Sequence, residues 1–110
     1  PDNYMAYFQM AKAKKATGDV FGAIADLTKA IALKDDFAGA YQLRAEVFLL
    51  MRQGKEALED ISKVIELIPE EETAYLLRGR VHALMNDAEK AEADFSYVGI
   101  ESFPNRCIFA

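Results

Sequence analysis

The stretch AYQLRAEVFLLMRQGKEALEDISKVIELIP, residues 40–69, decides the fold. Tyr41, Ala45 and Phe48 follow one another at steps of four and three, and Ala57, Ile61 and Val64 repeat those steps. Such spacing keeps side chains on one face of an α-helix, so the stretch spells two helical faces. Gln53-Gly54 falls between them as a turn signal, and Pro69 closes the second. The stretch predicts a helical hairpin.

The hairpin recurs on both sides. At a spacing of 34 residues Tyr41 falls on Tyr7 and Tyr75, Ala40 on Ala6 and Ala74, Ala57 on Ala23 and Ala91, and Asp60 on Asp26 and Asp94. Other columns keep their character: Ala11, Ala45 and Gly79 are small, Leu27, Ile61 and Phe95 are large and apolar, and Ala30, Val64 and Val98 are small and apolar. Gly18-Asp19 and Asn86-Asp87 supply the matching turns. The period divides a single domain, 1–110, into repeats of 4–37, 38–71 and 72–105. Phe109 falls in the tyrosine column, so 106–110 are expected to begin a further helix, a truncated capping helix or a tail, with the native array going on. A hairpin left open at an end exposes apolar surface, which makes a homodimer through the repeat ends an expectation.

Composition narrows the function. The 110 residues carry 52% hydrophobic and 28% charged side chains, a packed helical usage. Thirteen basic against eighteen acidic residues give a net charge of -5, which argues against a nucleic-acid partner. No apolar run reaches a membrane-spanning length, so the chain is expected to be soluble with no membrane insertion. The lone cysteine, Cys107, has no internal partner and favours a reducing compartment such as the cytoplasm. One histidine, no phosphate-binding glycine loop and no nucleophile motif leave nothing for catalysis, a metal or a cofactor. The acidic clusters Asp35-Asp36 and Glu70 to Glu72 are expected just before or within the first turn of the helix that follows, where carboxylates favour its positive end, and not to hold a metal. His82 shares a column with Phe48 and is read as a packed, hydrogen-bonded imidazole, and Met51 and Met85 as core filler.

These columns resemble the tetratricopeptide repeat: an aromatic, a small residue four places on, then alanine, a large apolar residue, a second small residue and proline. Repeat two carries the pattern on Tyr41, Ala45, Phe48, Ala57, Ile61, Val64 and Pro69, and repeat three on Tyr75, Gly79, His82, Ala91, Phe95 and Val98. Repeat one carries it on Tyr7, Ala11, Ala23, Leu27 and Ala30, with Lys14 in place of an aromatic and Asp35 in place of the proline. The resemblance implies an all-α fold, a right-handed superhelix of about six helices in antiparallel pairs, and a protein-binding role that is not enzymatic.

It also implies that first helices line a concave groove. Carried onto this chain, that groove holds Phe8, Lys12, Gln42, Glu46, Leu76 and Arg80, bordered by Leu49, Leu50 and Thr73. A partner segment with an apolar anchor and an acidic group would suit it. The carboxylate clamp of heat-shock co-chaperones is missing, because its positions read Phe8, Lys12, Leu43, Thr73 and Leu77. Arg44 and Arg78 stand sixteen residues before Asp60 and Asp94, and antiparallel helices would join each pair as a structural ion pair. Repeat one has Met10 in the arginine column, so Arg44 is the expected partner of Asp26. The alternative to a peptide-binding scaffold is a spacer or self-assembly module that associates through its terminal hairpins.

Overall fold

The two periodicities meet in six helices. The computed structural model describes residues 3–99: α1 (Tyr4–Thr17), α2 (Val20–Leu33), α3 (Ala38–Leu50), α4 (Gly54–Leu67), α5 (Glu72–Leu84) and α6 (Ala88–Tyr97). No strand occurs among the described residues, and no helix there is long and apolar enough to cross a membrane. Three starts are capped by side chains: Asn3 accepts from the Met5 amide, Asp19 from the Gly22 amide and Asp87 from the Lys90 amide. Each satisfies one of the donors that a helix start leaves free.

The turn inside each hairpin is the same turn. Gly18, Arg52 and Asn86, spaced by the period, all take left-handed backbone, with φ of 90°, 60° and 63°. Glycine adopts that conformation at no steric cost, whereas arginine is strained there. The glycine of the Gln53-Gly54 signal does something else. Gly54 opens α4, and a Cβ on it would lie 2.8 Å from Met85 Cγ, so its absence admits the next hairpin.

Within hairpins α1 packs on α2, α3 on α4 and α5 on α6; between hairpins α2 meets α3 and α4 meets α5. First helices also touch, α1 with α3 and α3 with α5, but second helices do not touch one another. The stack therefore bends with its first helices inside, along a body of 51 × 27 × 27 Å. Two apolar clusters hold it together. One joins Ala11, Ala23, Leu27 and Ala30 to Ala40 and Val47, and the other joins Ala45, Ala57, Ile61 and Val64 to Ala74, Leu77 and Val81. Each cluster spans one hairpin and the first helix of the next, so no hairpin buries its apolar face alone.

Several details depart from the sequence expectations. Asp35 and Asp36 fall just before α3, as the spacing has it, but no acidic residue lies in its first turn. Asp36 instead pairs with Lys34 at 3.0 Å, and the Asp35 carbonyl accepts the Tyr41 hydroxyl at 2.9 Å. The Tyr75 hydroxyl ties the Pro69 carbonyl in the same way, so this tyrosine column anchors the loop between hairpins. Only Glu72 stands in the first turn of α5. Met51 packs against the first cluster, but Met85 is 46% exposed: its Cγ and Sδ lie against Gly54 while the rest of the residue stays open to solvent, so it is not buried core filler. Phe103, Pro104, Cys107, Phe109 and the stretch 106–110 lie outside the described residues.

Candidate partner-binding groove

The inner side carries a trough. Phe8 and Lys12 of α1 and Gln42, Leu43 and Glu46 of α3 line a cavity of about 460 Å³, closed towards the third hairpin by Glu71. A second cavity of about 340 Å³ shares Lys12, Leu43 and Glu46 and adds Lys15 and Leu50. The shared residues make the two continuous. Gly39 shapes the first: a Cβ there would lie 3.1 Å from the Phe37 ring and 3.6 Å from Phe8. The bare backbone leaves room for those two rings, whose centres are 4.9 Å apart.

Polar groups set the orientation of the walls. Lys12 Nζ sits 5.5 Å over the Phe8 ring, one helical turn away. Lys15 Nζ pairs with Glu46 Oε1 at 3.2 Å, linking the first two hairpins, and both side chains are about one-third exposed, so the pair adds little to stability. Gln42 donates to the Thr73 hydroxyl at 3.1 Å, and Thr73 donates to Glu71. With Glu46 paired to Lys15, the trough keeps the cation of Lys12 at one side and the carboxylate of Glu71 at the other; Arg80 lines neither cavity and has no ion-pair partner among the described residues.

Phe8, Lys12, Gln42 and Glu46 are thus brought onto one cavity, and Thr73 joins it through Gln42. Leu76 and Arg80 occupy the same register on α5, in the columns of Gln42 and Glu46. Leu49 lines neither cavity and packs against the second apolar cluster. Lys15 and Glu71 line the cavities although the register of the tyrosine column does not mark them. Lys15 lies three places after Lys12, the helical neighbour spacing that could have signalled it.

The charged pairs lie between the helices of each hairpin. Arg44 donates from Nε and Nη2 to Asp60 at 2.8 Å each, and Arg78 donates to Asp94 at 2.9 and 2.8 Å. The carboxylates hold both guanidiniums above the already high arginine value. Arg44 does not reach Asp26; its remaining nitrogen donates to the Thr28 hydroxyl. Asp26 is met instead by Lys14, whose Nζ lies 2.8 Å from the buried Oδ2. Lys14 stands one turn beyond Met10 on the same face, so the cation has moved four residues along the helix while staying inside its own hairpin. His82 is buried, with Nε2 3.8 Å from Asp94, too far for a hydrogen bond. No group of three or more possible metal ligands occurs among the described residues.

No family model matches the chain. Among curated proteins, DnaJ homolog subfamily C member 3 of Mus musculus is 49% identical over 55 residues, half of this chain and 10% of that protein. The Homo sapiens protein of that name is 47% identical over the same length. The match therefore spans about a tenth of those relatives. Among solved structures, MamA protein is 26% identical with a TM-score of 0.83, over 86% of this chain and 51% of its own. The Arabidopsis OM64 TPR domain is 24% identical with a TM-score of 0.85, over 90% and 82%. The first TPR of Spaghetti (RPAP3) bound to the HSP90 peptide SRMEEVD is 20% identical with a TM-score of 0.84, over 93% and 80%. At these identities what is shared is the stacked-hairpin fold.

Proposed function

Because the chain is a tetratricopeptide-repeat array, we propose that it is an interaction scaffold whose inner trough takes a peptide segment of a partner protein. The observation that carries this reading is the continuous trough on α1 and α3, with an apolar floor at Phe8 and Leu43 and a cation at Lys12. A segment with one apolar anchor and an acidic side chain complements it. Spaghetti bound to an HSP90 peptide supports the general mode, since a protein of this fold there holds a peptide. Capture of a terminal carboxylate is not part of the proposal. Of the five clamp positions only Lys12 is cationic, and Leu77 is 5% exposed in the core. An internal segment fits these walls better. We assign no catalytic role.

The test is capture of partners from a lysate by this chain and by its Lys12→Glu, Arg80→Glu variant, with helicity and melting matched. Both side chains are exposed, so the variant is expected to fold. A protein retained by the first, lost by the second and lost also by Lys12→Glu alone, the one of the two positions that lines the trough, supports it. Equal retention would move the function to the ends of the stack.

A further inference from the structure

A second cleft, of about 340 Å³, opens on the outer side where the second and third hairpins meet. Ser62 of α4, Arg78 and His82 of α5, and Lys90, Ala93 and Asp94 of α6 line it. One period earlier the same six columns read Thr28, Arg44, Phe48, Glu56, Glu59 and Asp60. The earlier seam sets three carboxylates against one cation. The later seam sets one carboxylate against a guanidinium, an ammonium and an imidazole. In a chain of net charge -5 this reversal is local. Replacing the glutamate column by Ala93 also removes the bulk that would fill the space.

The donors agree with the charges. At the earlier seam Arg44 uses its third nitrogen on the Thr28 hydroxyl at 3.2 Å. At the later seam Arg78 gives Nε and Nη2 to Asp94, and its Nη1 has no acceptor among the described residues. Lys90 Nζ comes only within 3.7 Å of Asp87, and His82 Nε2 only within 3.8 Å of Asp94. Ser62 has no hydrogen-bond partner for its hydroxyl among the described residues and is exposed to the cleft. Four donor groups face one opening that holds a single carboxylate, itself already bound. Guanidinium, ammonium and hydroxyl donors are the groups that hold phosphate oxygens.

From this surplus we infer that the outer cleft is an oxyanion site that takes a phosphate group, either free or carried on a phosphorylated side chain. It stands independently of the trough. The experiment is an NMR titration of the ¹⁵N-labelled chain at constant ionic strength, with inorganic phosphate in one arm and a short phosphoserine peptide in the other. Its unphosphorylated form serves as the blank. Saturable shifts confined to the amides around Ser62, His82 and Lys90 are expected. Lys90→Glu, alone or with His82→Phe, installs residues the earlier seam already carries, and should weaken binding roughly tenfold or more. Tighter binding of the phosphopeptide than of phosphate would assign the site to a modified protein, and equal binding to the free ion. No saturable shift in either arm, or equal shifts in wild type and Lys90→Glu, would overturn the inference.

Discussion

Each hairpin buries an aspartate at the same place, and each must give it a cation. Asp60 and Asp94 receive a two-pronged arginine, and Asp26 a lysine from one turn further along α1. Removing the cation leaves a buried carboxylate unpaired, which costs more than the pair contributes. Arg44→Met, which copies Met10 into the second hairpin, is expected to lower stability by about 3 kcal/mol in urea unfolding. Lys14→Ala should also destabilise, and adding Met10→Arg should restore what was lost, since Met10 is 45% exposed and leaves room for a guanidinium. Failure of that rescue would contradict the column argument. Contact with Asp26 holds the Lys14 ammonium above the ordinary value of 10.5. Its contribution is therefore complete below that value and fades as pH rises through the raised one, a loss that an alkaline stability series on Lys14→Ala should no longer show. The exchange of lysine for arginine was not legible in advance, because a cation displaced by one turn leaves the arginine column empty. Only the packed helices show which turn faces the aspartate.

At the scale of the element, size is traded within a hairpin. Ala11 and Leu27 share one apolar cluster and Ala45 and Ile61 the other, in equivalent columns, and where the large residue is Phe95 the small one is Gly79. A Cβ on Gly79 would lie 2.6 Å from the Phe95 ring. Gly79→Ala gains about 1 kcal/mol of helix propensity, but overpacking against a ring held in the hairpin costs about 1–3 kcal/mol. A net loss is expected, reversed in Gly79→Ala, Phe95→Leu, and thermal melts of the three proteins check it. Helix number and pairing could be read from the columns because the apolar spacing is dense and repeats three times. The turns were only half legible. Glycine marks the left-handed residue at Gly18, yet the same conformation falls on Arg52 and Asn86, and Gly54 is glycine because a methionine of the next hairpin lies against it.

For the whole molecule, the contacts between first helices set the inside of the bend and so the position of the trough. Part of that surface could be listed from the register of the tyrosine column alone, as with Phe8, Lys12, Gln42 and Glu46. What the register does not reveal is depth. Leu49 turns into the second apolar cluster, whereas Lys15 crosses to the neighbouring hairpin and pairs with Glu46, so that the charge the trough presents differs from the one its register spells. The trough and the outer cleft would then be separate surfaces: Lys12→Glu, Arg80→Glu should leave the phosphate titration unchanged, and Lys90→Glu should leave partner capture unchanged. The most direct test is photocrosslinking to a captured partner from two positions, Gln42 in the trough and Glu66 on the exposed face of α4, each replaced by benzoylphenylalanine. Adducts from position 42 and none from position 66 are the expected result; adducts from position 66 alone would place the partner outside the trough and contradict the account.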